Sequence, residues 1–224
     1  MKLEGSQGIR KGRFEVVTTD TNHDKTIAKN HLEQNFTAAE PNQRWTADFT
    51  YIPTLEGWLY LALPLDLFSR KVVGWAFSST MTGDLTLKAL QMALYSSRAD
   101  LRSRPAHPHN QLIHYLDRGR RYTSYDYRDS LDKHRLIQSM SRKVNCYDNA
   151  AVESLFATLK TEEVQPNHYL TRQQAQTRIF NYLEGFHNTP RKHSTPLDFE
   201  NQYWQNQNPS RLTSCAWNWG HFRS

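Results

Sequence analysis

The chain has 224 residues, enough for one sizeable domain core, and its 38% hydrophobic content excludes a compositionally disordered protein. A net charge of +6 and a pI near 9.3 suit a polyanionic partner without demanding one. The two cysteines, Cys146 and Cys215, form no CxxC pair, which argues against a structural zinc or a disulfide framework and fits a reducing cytosol. No run approaches the ~20 apolar residues of a membrane span and the N-terminus lacks a signal-peptide core, so a cytoplasmic protein without a membrane partner is expected.

Residues 1–43 are polar and weakly periodic and read as an arm or linker, with a short helix near 26–34. From Arg44 the pattern changes. RWTADFTYIP (44–53) alternates with period two, which predicts a strand with Asp48 on the side opposite Trp45, Ala47, Phe49 and Tyr51. Glu56-Gly57 signals a hairpin, and the apolar run at 58–67 predicts a second strand buried on both faces. A third strand is expected at 71–77. Leu85, Leu87, Ala89, Leu90, Ala93 and Leu94 form a helical stripe within 83–98.

A short apolar strand at 111–116 ends at Asp117. A helix at 124–134 and a strand at 136–140 follow. Between Arg118 and Lys143 eight Lys/Arg face three Asp, interleaved with Tyr122, Tyr125 and Tyr127. Cations neutralise phosphates and rings stack on unpaired bases, although for this stretch alone a solvated helix face with ordinary surface tyrosines is the favoured explanation. Asn145–Asn149 is a polar turn whose Asp148 or Asn149 can cap the next helix, striped by Val152, Phe156 and Leu159. A helix at 171–187 starts from Thr171. Residues 44–200 read as one core, and 201–224 as an irregular tail. The order of strands and helices predicts an α/β sandwich with a mixed central sheet.

Asp48 lies in a strand among apolar residues, Asp117 directly follows one, and Glu153 opens a helix. An ionised carboxylate beside a core is costly unless paired or metal-bound. Three acids from three elements suit Mg²⁺ or Mn²⁺, and two such ions would serve phosphodiester chemistry. Each acid alone is more simply a cap or an ion-pair partner. A sugar hydrolase would use paired acids too, but leaves the basic segment without a role. Lys160 follows Glu153 by two helical turns and shares its face, where it is suited to a phosphate.

Thirty-five residues separate Asp117 from Glu153. This spacing resembles the integrase core of retroviral integrases and insertion-sequence transposases. The words WTADFTYI (45–52), GWLYLALPLDLFSRKVVGWAFS (57–78), DRGRRYTS (117–124), SMSRKVNCYDNAAVESLFATLK (139–160) and HNTPRKHS (187–194) resemble the long-open-reading-frame transposases of the IS-three group. The resemblance runs from about Gly8 to Phe199. It implies a ribonuclease-H-like fold, with a five-stranded mixed sheet and helices on both faces. It implies Asp48, Asp117 and Glu153 as the catalytic, metal-binding triad, and Asn145, Asp148 and Asn149 as supports of the catalytic helix. Lys160 is implied as a DNA contact, with Arg118, Arg120, Arg121, Arg142 and Lys143 as further candidates. The implied reaction is metal-dependent DNA cleavage and 3′-hydroxyl strand transfer by a homo-oligomer on DNA in a bacterial cytoplasm. Tyr115-Leu116, Arg120-Arg121 and Val144 depart from the family pattern, which usually has His-Ser, Ser-Gln and Gly there. They leave an alternative: a truncated, inactive remnant that binds only DNA or partner subunits.

Overall fold

A computed structural model describes residues 37–97, 111–116, 122, 124–140, 150–189 and 196–207. Strands β1 (Arg44–Thr54) and β2 (Gly57–Asp66) form the expected antiparallel hairpin, in register from Trp45↔Asp66 to Thr54↔Gly57. Gly57 closes it at φ +102°, a conformation an L side chain rarely adopts. Strands β3 (Ala76–Ser78), β4 (Ile113–Leu116) and β5 (Ile137–Met140) complete a five-stranded sheet of order β3-β2-β1-β4-β5. β4 runs parallel to both β1 and β5, so the sheet is mixed as expected.

The alternation of β1 sorts its side chains onto two cores. On one face Ile52, with Leu59, Leu61, Leu63 and Leu65 of β2, packs against α3 (Ala150–Leu159) and α4 (Arg172–Tyr182). Val152, Leu155, Phe156 and Leu159 supply α3's buried stripe. On the other face Trp45, Ala47 and Phe49 meet α1 (Gly83–Ser96), and Trp45 and Ala47 share that core with α2 (Tyr125–Lys133). Helices therefore cover both faces. None of the described helices is long and apolar enough to cross a membrane.

The third strand is shorter than its sequence suggests. The ladder to β2 covers only Tyr60↔Ser78 to Ala62↔Ala76, with one isolated bridge at Leu65↔Val72. Between these two points the 72–76 side has one residue more than the 62–65 side, the count of a bulge. Pro64 lies there and has no N–H to donate, though its carbonyl accepts from Val73 N at 3.1 Å. Asn188 satisfies the diverted backbone instead, through Val72 N→Oδ1 (3.0 Å) and Nδ2→Val72 O (3.0 Å).

Helix ends also differ. Thr171 caps α4 as expected, accepting from Gln174 N at 3.1 Å. After Tyr182, however, the chain widens into a π-helical turn, Leu183–His187, with Asn188 N bonded to Leu183 O. A similar turn, Lys160–Val164, follows α3. Residues 201–207 are not irregular: they continue α5 (Pro196–Gln207). Phe68 meets Phe199 and Tyr203 of α5 at centroid distances of 4.9 and 5.2 Å, and Lys71 pairs with Glu200 at 3.1 Å. Tertiary contacts thus hold a helix whose Asn- and Gln-rich sequence shows little stripe.

Candidate active site

Parallel β1 and β4 point their carboxyl ends the same way, the end at which α/β sheets place their ligands. Their ladder runs from Arg44↔Ile113 to Thr46↔Tyr115. Asp48 stands two residues beyond it on β1, opposite Leu63 of β2 and on the face covered by α3 and α4. Its carboxylate is half-buried and accepts a hydrogen bond from Phe49 N at 2.8 Å. Tyr115 and Leu116, at the end of β4, are fully buried.

Helix α3 supplies the facing side. Its apolar stripe seats it on the sheet and leaves Glu153, in its first turn, exposed. Lys160 begins the π-helical turn and is half-buried. Burial pulls its pKa below the ordinary lysine value, while the charge of Asp48 pushes it up; burial wins. Its ammonium also lies 4.9 Å from the ring centroid of Tyr51, a cation–π distance. Asp48 and Lys160 are therefore close enough for each to feel the other's charge.

The remaining expected site residues, Asp117, Arg118, Arg120, Arg121, Arg142, Lys143, Asn145, Asp148 and Asn149, lie outside the described residues. Among the described residues no three His, Cys, Asp or Glu side chains group as metal ligands. Two of the three interleaved tyrosines are not available to bases. Tyr122 and Tyr127 are buried in the α1/α2 core, and Tyr127 Oη lies 2.7 Å from Nε2 of the fully buried His114. Tyr125 alone of the three is exposed. Conversely, the alternation gives Tyr51 and Trp58 no distinction from ordinary strand positions, whereas Tyr51 lies beside Lys160 and Trp58 meets Tyr51 in a T-shaped contact at 5.0 Å.

The integrase core domain family matches residues 38–146, and a second integrase core domain family matches 153–204. The chain is 45% identical over 207 residues to transposase InsF for insertion sequence IS3fB of Escherichia coli (strain K12), covering 90% of this chain and 68% of that protein. It is likewise 45% identical to transposase InsF for insertion sequence IS3A of the same organism, over 80% of this chain but 61% of that protein. The chain thus spans roughly two thirds of the length of these relatives. A 31 kDa protein of insertion element IS600 from Shigella sonnei is 44% identical, over 84% of this chain and 68% of that protein. Among solved structures, the HTLV-2 integrase catalytic core domain in complex with magnesium superposes with a TM-score of 0.52 at 18% identity, covering 73% of this chain and 99% of that one. The Mos1 transposase catalytic domain does so at 0.52 and 15% identity, covering 82% and 86%. These likenesses establish a ribonuclease-H-like fold. With nearly half its residues identical to the InsF proteins along most of its length, the chain belongs to the IS-three group of insertion-sequence transposases.

Proposed function

We propose that this chain is the catalytic core of a DNA transposase, cutting DNA at the ends of its insertion sequence and joining the freed 3′-hydroxyl to a second phosphodiester. The observation that carries the proposal is the site of Asp48. It lies just past the parallel β1–β4 ladder, whose paired residues differ by 69 in number (Thr46↔Tyr115), and the same difference separates Asp48 from Asp117. Glu153 rides on the helix packed against that end of the sheet. Three carboxylates from β1, the end of β4 and α3 make an all-oxygen donor set, which suits Mg²⁺ or Mn²⁺. Two such ions would supply activation of the attacking oxygen and stabilisation of the leaving one.

The chain's own residues do the rest. Lys160 is braced by Tyr51 and sits within reach of Asp48's charge, so it holds a phosphate of the bound strand beside the carboxylates. Arg118, Arg120, Arg121, Arg142 and Lys143 extend the positive surface along the DNA, and Asn145, Asp148 and Asn149 support the start of α3. Joining two DNA ends requires two such cores, so a homo-oligomer assembles on DNA.

The test is nicking and joining of labelled DNA carrying the element's own ends, with Mg²⁺ or Mn²⁺, by this chain and its Asp117→Asn variant. Activity is expected in the first and none in the second, with equal DNA binding. Cleavage that survives Asp117→Asn rejects the triad. Salt-sensitive DNA binding without cleavage by the parent chain returns the reading of a non-catalytic remnant.

A further inference from the structure

Outward from Asp48, the margin of β1 turns aromatic. Tyr51 pairs with Tyr60, and Pro53 with Trp58, so Tyr51 and Trp58 share one face of the hairpin. Their rings meet at 83° with centroids 5.0 Å apart. Lys160 comes from the helix on the opposite face, so its ammonium reaches Tyr51 across the strand. Trp58 keeps 39% of its surface exposed, an unusual state for the largest apolar side chain.

The backbone that carries the indole is also braced. Arg172 donates from Nε to Trp58 O at 3.0 Å and from Nη2 to Glu56 O at 2.6 Å, and Leu55 N donates to Tyr169 O at 3.0 Å. The hairpin tip is therefore tied to α4 and its approach, and Trp58 is presented from a fixed strand. A rigid ring loses little freedom when it binds.

From the carboxylate outward the order is anion, ammonium, braced ring, exposed ring. We infer that Trp58, backed by Tyr51, is a stacking platform for an unpaired base of the DNA strand whose phosphate is held at Lys160. The inference rests on the DNA-acting reading proposed above. An ammonium next to an open aromatic face matches the two halves of a nucleotide, phosphate and base. The exposed Leu55 nearby would suit an apolar protein partner, but such a partner makes no use of the ammonium beside the Tyr51 ring. Every base has a π face, so the platform favours frayed or single-stranded ends over paired ones with little regard to sequence.

The experiment uses the full chain without divalent metal, and two DNA probes: a blunt duplex, and the same duplex with three unpaired terminal nucleotides, one of them 2-aminopurine. The parent chain is expected to bind the frayed probe more tightly and to quench the 2-aminopurine by stacking. Trp58→Ala is expected to lose the quench and to weaken frayed-end binding on the order of 10-fold, with blunt-duplex binding unchanged. Trp58→Phe retains most of both, which separates stacking from misfolding. A Trp58→Ala protein that still quenches overturns the inference. So does one that behaves normally on DNA but sediments as a smaller species without it, since the surface then seats a protein. A parent chain that binds neither probe overturns the DNA-acting reading itself, whereas binding with no preference for the frayed end overturns only the platform.

Discussion

Lys160 is held between two demands. In the role proposed for it, beside a phosphate of the bound strand, it must stay charged, yet half-burial beside α3 favours its neutral form. The structure answers with Asp48, whose negative charge raises the lysine's pKa, and with the Tyr51 ring, which favours the ammonium. Asp48→Asn removes the first support. The Lys160 pKa is expected to fall further below the ordinary lysine value, measured by carbon-13 NMR of the labelled ε-methylene. Strand cleavage is expected to drop by more than about 100-fold, the scale of losing one electrostatic catalytic group. An unchanged Lys160 titration would show that the two side chains do not share a site. Glu153 differs: it is exposed and lies outside α3's apolar stripe, so Glu153→Gln should abolish cleavage while shifting the unfolding midpoint by less than about 0.5 kcal/mol.

Among the elements, the close approach of α1 to the diverted strand is the least forgiving contact. A Cβ on Gly74 would lie 2.5 Å from Ala93 N and 2.6 Å from Ala89 O, both backbone atoms that cannot move aside. Gly74→Ala should therefore force α1 off the sheet and cost about 1–3 kcal/mol or more in urea unfolding; a neutral result would mean that α1 packs elsewhere. This region also marks where sequence reasoning stopped. The β1–β2 hairpin was legible because alternation and Glu56-Gly57 are local signals. The bulge at Pro64 was not, because the backbone it displaces is satisfied by Asn188, more than a hundred residues onward. Helix α5 escaped for the same reason, its hold on Phe68 and Lys71 being tertiary. In the site, Asp48 stood out as a charge inside an alternating strand, and Glu153 and Lys160 by their two-turn spacing. Tyr51 and Trp58 did not, since a ring beside a cation has the same period as a ring in a core.

At the scale of the whole molecule, stability should fall in mild acid. His114 is fully buried between Trp45 and Tyr127, and burial lowers its pKa to about 3, against about 6.5 when unfolded. The unfolded chain therefore binds a proton that the folded one refuses. The stability held above pH 6.5 is lost as pH falls towards 3, at a slope on the order of 1 kcal/mol per pH unit. Asp66 works in the opposite sense, its carboxyl raised by burial despite bonds from Ser69 and Asn42. His114→Gln, which keeps a partner for Tyr127, should flatten the decline in urea midpoint between pH 7 and pH 5; an equally steep decline would assign it to other groups. A last consequence concerns inheritance. The wide turn after Lys160 holds one residue more than an α-helical turn, and Gln165 N bonds back to Lys160 O. Deleting a single codon there would leave the chain up to Lys160 in its present frame. It would rotate everything after it by about 100°, breaking Tyr169 from Leu55 and Arg172 from Glu56 and Trp58. In descendants of this gene, length changes in that turn should be rarer than substitutions, for the turn is a splice between two rigid halves that tolerates new letters but not a new count.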